Sequence, residues 1–311
     1  MRKIQEALIR IRSSQEPRPV AEVAPAAAEQ ARNATASPPG NLAHGSLQVV
    51  SVNEPLVVRM DALRDAGLIV PSVDAQLLAP QLREIKRPLL AHAFGKRATK
   101  VSDGNLLLIS SALAGEGKTF ISFNLALSVT HERDHSVVLI DADVAKPHLT
   151  QAFAAFDKKG LLDYLEDPNL TLGSVLLPTS IPGLSFIPAG KPRMNSTELL
   201  SGSRMDELIE RLNSRANNGE VAIFDGPPLL QTTESKVLAT YVGQIVLVVL
   251  ADKTSQSAVI NAVSVLDNRK PVNLVLNQVG PQALQSRYAY GYGYNESPNP
   301  IGGEAPGGDL V

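Results

Sequence analysis

The chain has 311 residues, 29 Lys and Arg against 31 Asp and Glu, a formal net charge of -2 and 44% apolar residues. That length suits one large α/β domain with appendages, and the near balance of charge excludes a global attraction to nucleic acid or anionic membrane. There is no cysteine and the five histidines are scattered without ligand spacing, which argues against disulfides, thiolate metal sites and zinc chemistry.

Residues 1–14 place Ile4, Leu8 and Ile11 at helical spacing, with Arg2, Lys3, Arg10 and Arg12 elsewhere and only Glu6 opposing them. A short basic amphipathic helix of this kind docks on a membrane surface or in a partner's groove, or lies folded on its own domain. Residues 15–45 are rich in Ala, Pro, Ser and Glu without apolar periodicity, and a disordered linker is expected. Residues 47–50 and 56–58 are small apolar runs suited to short extended segments, and residues 61–67 read as a short helix ending at glycine. Residues 74–94 carry a helical apolar pattern, bent or interrupted by the proline next to Arg87. Arg83, Lys86 and Arg87 cluster on it, and such a run also reads as an ordinary solvated face.

The core of the chain begins at Leu106-Leu107-Leu108-Ile109-Ser110, a continuous apolar run typical of a strand buried on both faces. It leads into Ser111-Ala112-Leu113-Ala114-Gly115-Glu116-Gly117-Lys118-Thr119-Phe120 and a helix to about Val129. A glycine-rich turn ending in Gly-Lys-Thr between strand and helix is a P-loop. The backbone N–H groups of residues 114–120 face phosphate, Lys118 reaches the β/γ oxygens and the Thr119 hydroxyl holds Mg²⁺. Ala112 replaces the usual first glycine.

A second buried strand, residues 136–140, ends in Asp141-Ala142-Asp143, and a third, residues 221–224, delivers Asp225 into Gly226-Pro227-Pro228. Acids at the C-terminal ends of parallel strands lie where ligands bind, and the last fits a Walker-B-type magnesium ligand. Between them come helical pieces at 161–165 and 170–177, a strand at 184–189 and a long helix opening at Ser196 and running through Leu212. A helix over 233–241, a strand over 244–250, a helix over 254–266 and a last strand over 272–276, ending at Asn277, complete a doubly wound, mainly parallel sheet. The longest purely apolar stretch, residues 245–251, is too short to cross a bilayer, so a cytoplasmic location is expected.

Residues 281–311 lose apolar periodicity, and Tyr288, Tyr290, Tyr292 and Tyr294 alternate with Ala and Gly in a segment expected to be a flexible tail. The P-loop opening on Ala112, the run Asp141-Ala142-Asp143-Val144-Ala145-Lys146-Pro147, the Asp225-Gly226-Pro227-Pro228 turn and this tyrosine cluster together resemble the bacterial tyrosine kinases. The basic N-terminal helix and Arg83-Glu84-Ile85-Lys86-Arg87-Pro88 resemble, within that family, the cytoplasmic autokinases of exopolysaccharide loci, which regulate polymer chain length. The resemblance implies a P-loop NTPase fold of the MinD/ParA-like type over residues 46–280, with a helical part at 46–100 and the nucleotide-binding core at 101–280. It implies ATP and Mg²⁺ as cofactors. Lys118, Asp141, Asp143 and Asp225 would be the catalytic group, and Thr119, Asp141 and Asp225 the metal ligands. Ala114, Gly115, Glu116, Gly117, Lys118, Thr119 and Phe120 would hold the phosphates, with Asn277 either at the adenine or in an ordinary strand-end turn. It further implies autophosphorylation of Tyr288, Tyr290, Tyr292 and Tyr294, a ring-like homo-oligomer built through Arg83 and Lys86 with each tail in a neighbour's site, and a membrane chain-length-determinant activator that brings the chain to the inner membrane. No nucleic-acid partner is expected. Ala145 followed by Lys146 stands where many members have arginine. A partitioning-type ATPase switch without tyrosine transfer is the competing reading, and Leu113 in the place of that class's signature lysine speaks against it. A nucleotide-binding scaffold that recruits a membrane protein is a third.

Overall fold

The computed structural model describes residues 54–96 and 98–280. The N-terminal helix, the linker, residues 47–50 and the tyrosine cluster lie outside the described residues.

Among the described residues seven strands form one sheet: β1 (Leu106–Ser111), β2 (Ser136–Asp141), β3 (Leu177–Pro178), β4 (Leu184–Ile187), β5 (Glu220–Asp225), β6 (Gln244–Leu250) and β7 (Val272–Asn277), in the order β3-β4-β2-β5-β1-β6-β7. Every pairing is parallel except the antiparallel β3–β4 edge. Strand side chains alternate between two cores, as the period of two requires. Leu106, Leu108, Val138, Ile140, Ala222 and Phe224 enter one core, and Leu107, Ile109, Val137, Leu139, Val221 and Ile223 the other. Both faces being covered explains why these strands read as unbroken apolar runs.

On the second face lie α1 (Met60–Asp65), α2 (Ser72–Phe94), α3 (Lys118–Thr130) and α4 (His148–Ala152). The first face is covered by α5 (Leu161–Glu166), α6 (Leu172–Val175), α7 (Ser196–Leu200), α8 (Ser203–Ser214), α9 (Glu234–Tyr241) and α10 (Gln256–Ser264). From β1 the chain runs through α3 to β2, leaving a place that β5 later fills, and from β5 it runs through α9 to β6 on the other side of β1. The connections diverge at β1 and β5, so their C-terminal ends form the topological switch point where α/β sheets bind ligands.

Three expectations are corrected. The segment read as a helix bent or interrupted near Arg87 is not interrupted: one helix runs over Ser72–Phe94, with Pro80 and Pro88 inside it. Each interior proline costs about 3 kcal/mol. Burial of Leu82 and Leu89, at roughly 1.5–3 kcal/mol each, and tertiary bonds offset that cost. Gln244 Nε2 donates to Leu89 O at 3.0 Å, and the same side chain's Oε1 meets His92 Nδ1 at 2.8 Å. The single long helix expected from Ser196 is two, α7 and α8, parted at Ser201-Gly202. Leu177, expected as the end of a helical piece, instead opens strand β3 with Pro178, the two paired with Phe186 and Ser185.

Candidate active site

β1 ends at Ser111 and α3 begins at Lys118, so the P-loop spans the gap between them at the switch point. Ala112 is fully buried and its methyl belongs to the first core, which accounts for alanine in place of glycine. Gly117 caps α3 with φ of 90°, and a Cβ there would lie 2.1 Å from Asn277 Nδ2. Only glycine satisfies both conditions. Asn277 Nδ2 donates to Glu116 O at 3.0 Å, so Asn277 ends β7 against the P-loop backbone rather than in an isolated turn. Gly226 plays a related part below the loop: a Cβ on it would meet Leu108 Cδ1 at 2.5 Å. The turn it opens is laced to β1 and the loop start by Ser110 Oγ to Pro227 O (2.6 Å), Leu229 N to Ser111 O (2.8 Å) and Leu230 N to Ala112 O (3.3 Å).

Strand order brings the acids together. Asp141 and Asp225 are register partners at the ends of β2 and β5, and Asp143 lies two residues past Asp141. All three are buried, as is Lys118. Lys118 Nζ donates to Asp143 Oδ2 at 2.7 Å. Burial alone would lower the Lys118 pKa, but Asp225, Asp143 and Asp141 outweigh it and raise it. Asp141 is pushed up to about 8, first by burial and then by Asp225, against the lowering effect of its bonds to Thr150. Asp225 is also raised by burial, with Lys118, Thr119 and Ser122 acting in the opposite direction.

Two residues that sequence reading did not single out complete the set. Thr150, on α4, donates its N–H (2.7 Å) and hydroxyl (2.8 Å) to Asp141 Oδ2, and its hydroxyl oxygen accepts Ala189 N–H at 2.9 Å. Ser122 Oγ donates to Asp225 Oδ1 at 2.9 Å and to Lys118 O at the same distance. Ser122 stands one turn after Lys118, a spacing legible in the sequence; nothing local marks Thr150.

Each of these acids keeps one buried oxygen, Asp141 Oδ1 and Asp225 Oδ2, without a hydrogen-bond partner. Mg²⁺ takes one or two carboxylates plus phosphate and water, so two orphaned acid oxygens beside Thr119 and a phosphate loop fit that ion. Among the described residues no group of three His, Cys, Asp or Glu forms a metal cage by itself.

Of the remaining expected residues, Ala114 and Gly115 are exposed on the loop and Phe120 packs partly against the second core. Arg83 is exposed, whereas Lys86 is turned inward: its Nζ donates to Ser128 O at 2.7 Å and pairs with Glu132 Oε1 at 2.5 Å. Among the described residues no helix is long and apolar enough to cross a membrane.

No protein-family model matches the chain. The putative tyrosine-protein kinase EpsB of Ralstonia nicotianae is 30% identical over 214 residues, covering 65% of this chain and 28% of that protein. The tyrosine-protein kinase CpsD of Streptococcus agalactiae is 31% identical over 180 residues, covering 57% of this chain and 76% of CpsD. The chain thus spans about a quarter of the EpsB relatives, at 28% and 25%, and three quarters of CpsD. Among solved structures, the VpsO kinase domain matches with a TM-score of 0.55 and 26% identity, over 68% of this chain and 100% of that domain. The kinase domain of Escherichia coli ETK matches with a TM-score of 0.51 and 27% identity, over 59% and 72% of the two chains. With the P-loop, the paired acids and the sheet order already in place, this likeness to CpsD across most of its length shows that the chain belongs to the bacterial tyrosine-kinase family.

Proposed function

We propose that the protein is an ATP-dependent tyrosine autokinase that phosphorylates its own Tyr288, Tyr290, Tyr292 and Tyr294 and serves exopolysaccharide assembly. The observation that carries the reading is the convergence of Lys118, Asp141, Asp143 and Asp225 beneath a P-loop, in a chain whose curated relatives are named tyrosine-protein kinases.

The loop amides and Lys118 bind and orient the β- and γ-phosphates, and Thr119, Asp141 and Asp225 would hold Mg²⁺. That ion, when bound, neutralises phosphate charge during transfer. Phosphoryl transfer asks the protein mainly for position and charge. The tyrosine phenol oxygen attacks the γ-phosphorus, the bond to the β,γ-bridging oxygen breaks, and ADP leaves with that electron pair. A phenol with a pKa of about 10 keeps its proton at neutral pH, and Asp141, at the end of β2, or Asp143, two residues further on, takes it in its ionised form. Transfer in trans within a homo-oligomer is part of this reading, Arg83 being the exposed basic position on α2. Docking to a membrane chain-length-determinant protein through residues 1–14 would place this activity at the inner membrane.

The test is intact mass before and after incubation with ATP and Mg²⁺, alongside Lys118→Met and a chain ending before Tyr288. Stepwise phosphate additions that vanish in both controls are expected. Additions that persist in Lys118→Met would overturn the assignment.

A further inference from the structure

An acid inside a phosphate-binding loop is an electrostatic liability, because phosphates bring like charge to the same few ångströms. Glu116 sits in that position, and the fold turns its side chain inward until only 2% of the residue is exposed. Both carboxyl oxygens are occupied there. Oε2 accepts the Leu113 N–H at 2.8 Å, three residues back along the same loop, and Oε1 accepts the Thr254 hydroxyl from the turn after β6. The Thr254 hydroxyl oxygen in turn accepts Leu250 N–H at 3.2 Å, at the end of β6. The Glu116 backbone carbonyl accepts Asn277 Nδ2 at 3.0 Å, at the end of β7. One residue therefore ties the P-loop to itself and to the two strand ends on its far side.

We propose that the Glu116 side chain is a positioning residue: it clasps the P-loop to Thr254 and so holds the phosphate cradle in its binding shape. The clasp closes the loop between Leu113 and Glu116, the stretch that carries Gly115 at φ of 81° and leads into Gly117 at φ of 90°. These are conformations a free loop would leave readily. Nucleotide then meets a cradle already formed, and less of its binding energy is spent ordering the loop.

The inference rests on the nucleotide-binding part of the proposed function. Its test is therefore binding of a fluorescent ADP to the full chain, with no transfer step required, for Glu116→Ala, Glu116→Gln, Thr254→Val and Thr254→Ser. Gln keeps both contacts, its amide oxygen accepting Leu113 N–H and its amide nitrogen donating to the Thr254 oxygen, and Ser keeps the hydroxyl. Glu116→Ala and Thr254→Val are each expected to weaken ADP about tenfold, as loss of buried hydrogen bonds does, while the conservative pair stays within about threefold of wild type. The double substitution Glu116→Ala with Thr254→Val is expected to be little worse than either alone, because both remove the same link. Hydrogen exchange at the Leu113 amide should rise in Glu116→Ala. Unchanged ADP affinity in Glu116→Ala, equal losses in Ala and Gln variants, or additive losses in the double variant would each overturn the clasp. Failure of the wild type itself to bind nucleotide would instead overturn the proposed function.

Discussion

Asp141→Asn should make the protein more stable and inactive, and the gain should depend on pH. Asp141 is fully buried, faces Asp225 across the β2–β5 register and is held near a pKa of about 8 against an ordinary 3.8. Because the folded pKa is raised, the unfolded chain gives up its proton near pH 4 while the folded chain keeps it until about pH 8. Stability from this group is thus lost as pH rises through that window. At pH of about 7 the difference is roughly three pKa units, or ~4 kcal/mol as an upper bound. Asparagine fits the same contacts: its oxygen accepts from Thr150, and its nitrogen replaces the orphaned Oδ1 with a neutral group across the register from Asp225. Recovering about half of the bound, ~2 kcal/mol, raises Tm by roughly 4–8 °C in a domain of this size. Thermal unfolding without nucleotide, measured from pH of about 4 to 8, should show a gain that is near zero at the acid end and grows upward. A gain independent of pH, or a Tm below wild type near neutrality, would refute the reasoning. Phosphoryl transfer should be lost throughout, since an amide neither binds Mg²⁺ as a carboxylate does nor accepts a proton.

Thr150→Val removes one of the two donors to Asp141 and the acceptor for Ala189 N–H, so the Mg²⁺ concentration that half-saturates nucleotide binding should rise about tenfold, with Thr150→Ser restoring it; a magnesium titration with fluorescent nucleotide reads this. Gly117→Ala forces a methyl to 2.1 Å from Asn277 Nδ2 at a φ of 90°, and should lose nucleotide binding along with about 1–3 kcal/mol of stability, measured by ADP titration and urea unfolding. Lys86→Met strips the inward bonds to Ser128 O and Glu132, so a loss of about 1–3 kcal/mol is expected. Arg83→Ala, on the exposed face, should leave Tm unchanged and weaken assembly by native mass. Reversal of that pattern would return Lys86 to a role between chains.

Short-range pattern was enough to reveal six of the seven strands of the described sheet, the P-loop and the acids at the strand ends. A strand buried on both faces must be a continuous apolar run, and a Gly-Lys-Thr turn between strand and helix has few other uses. The interruption allowed at Pro88 does not occur, because propensity is a local cost, whereas the bonds of Gln244 to Leu89 and His92 come from more than 150 residues away. Strand adjacency is likewise non-local: nothing in residues 106–141 announces that β5 will enter between β1 and β2 and set Asp225 beside Asp141. That insertion decides which acids share a site. Side-chain direction completes the division, since the sequence pattern that allows Lys86 a solvated face and sets Glu116 in the phosphate loop does not say that both side chains turn inward, and only the packing of α2 on α3 and of the P-loop on the turn after β6 supplies the partners that offset burying them.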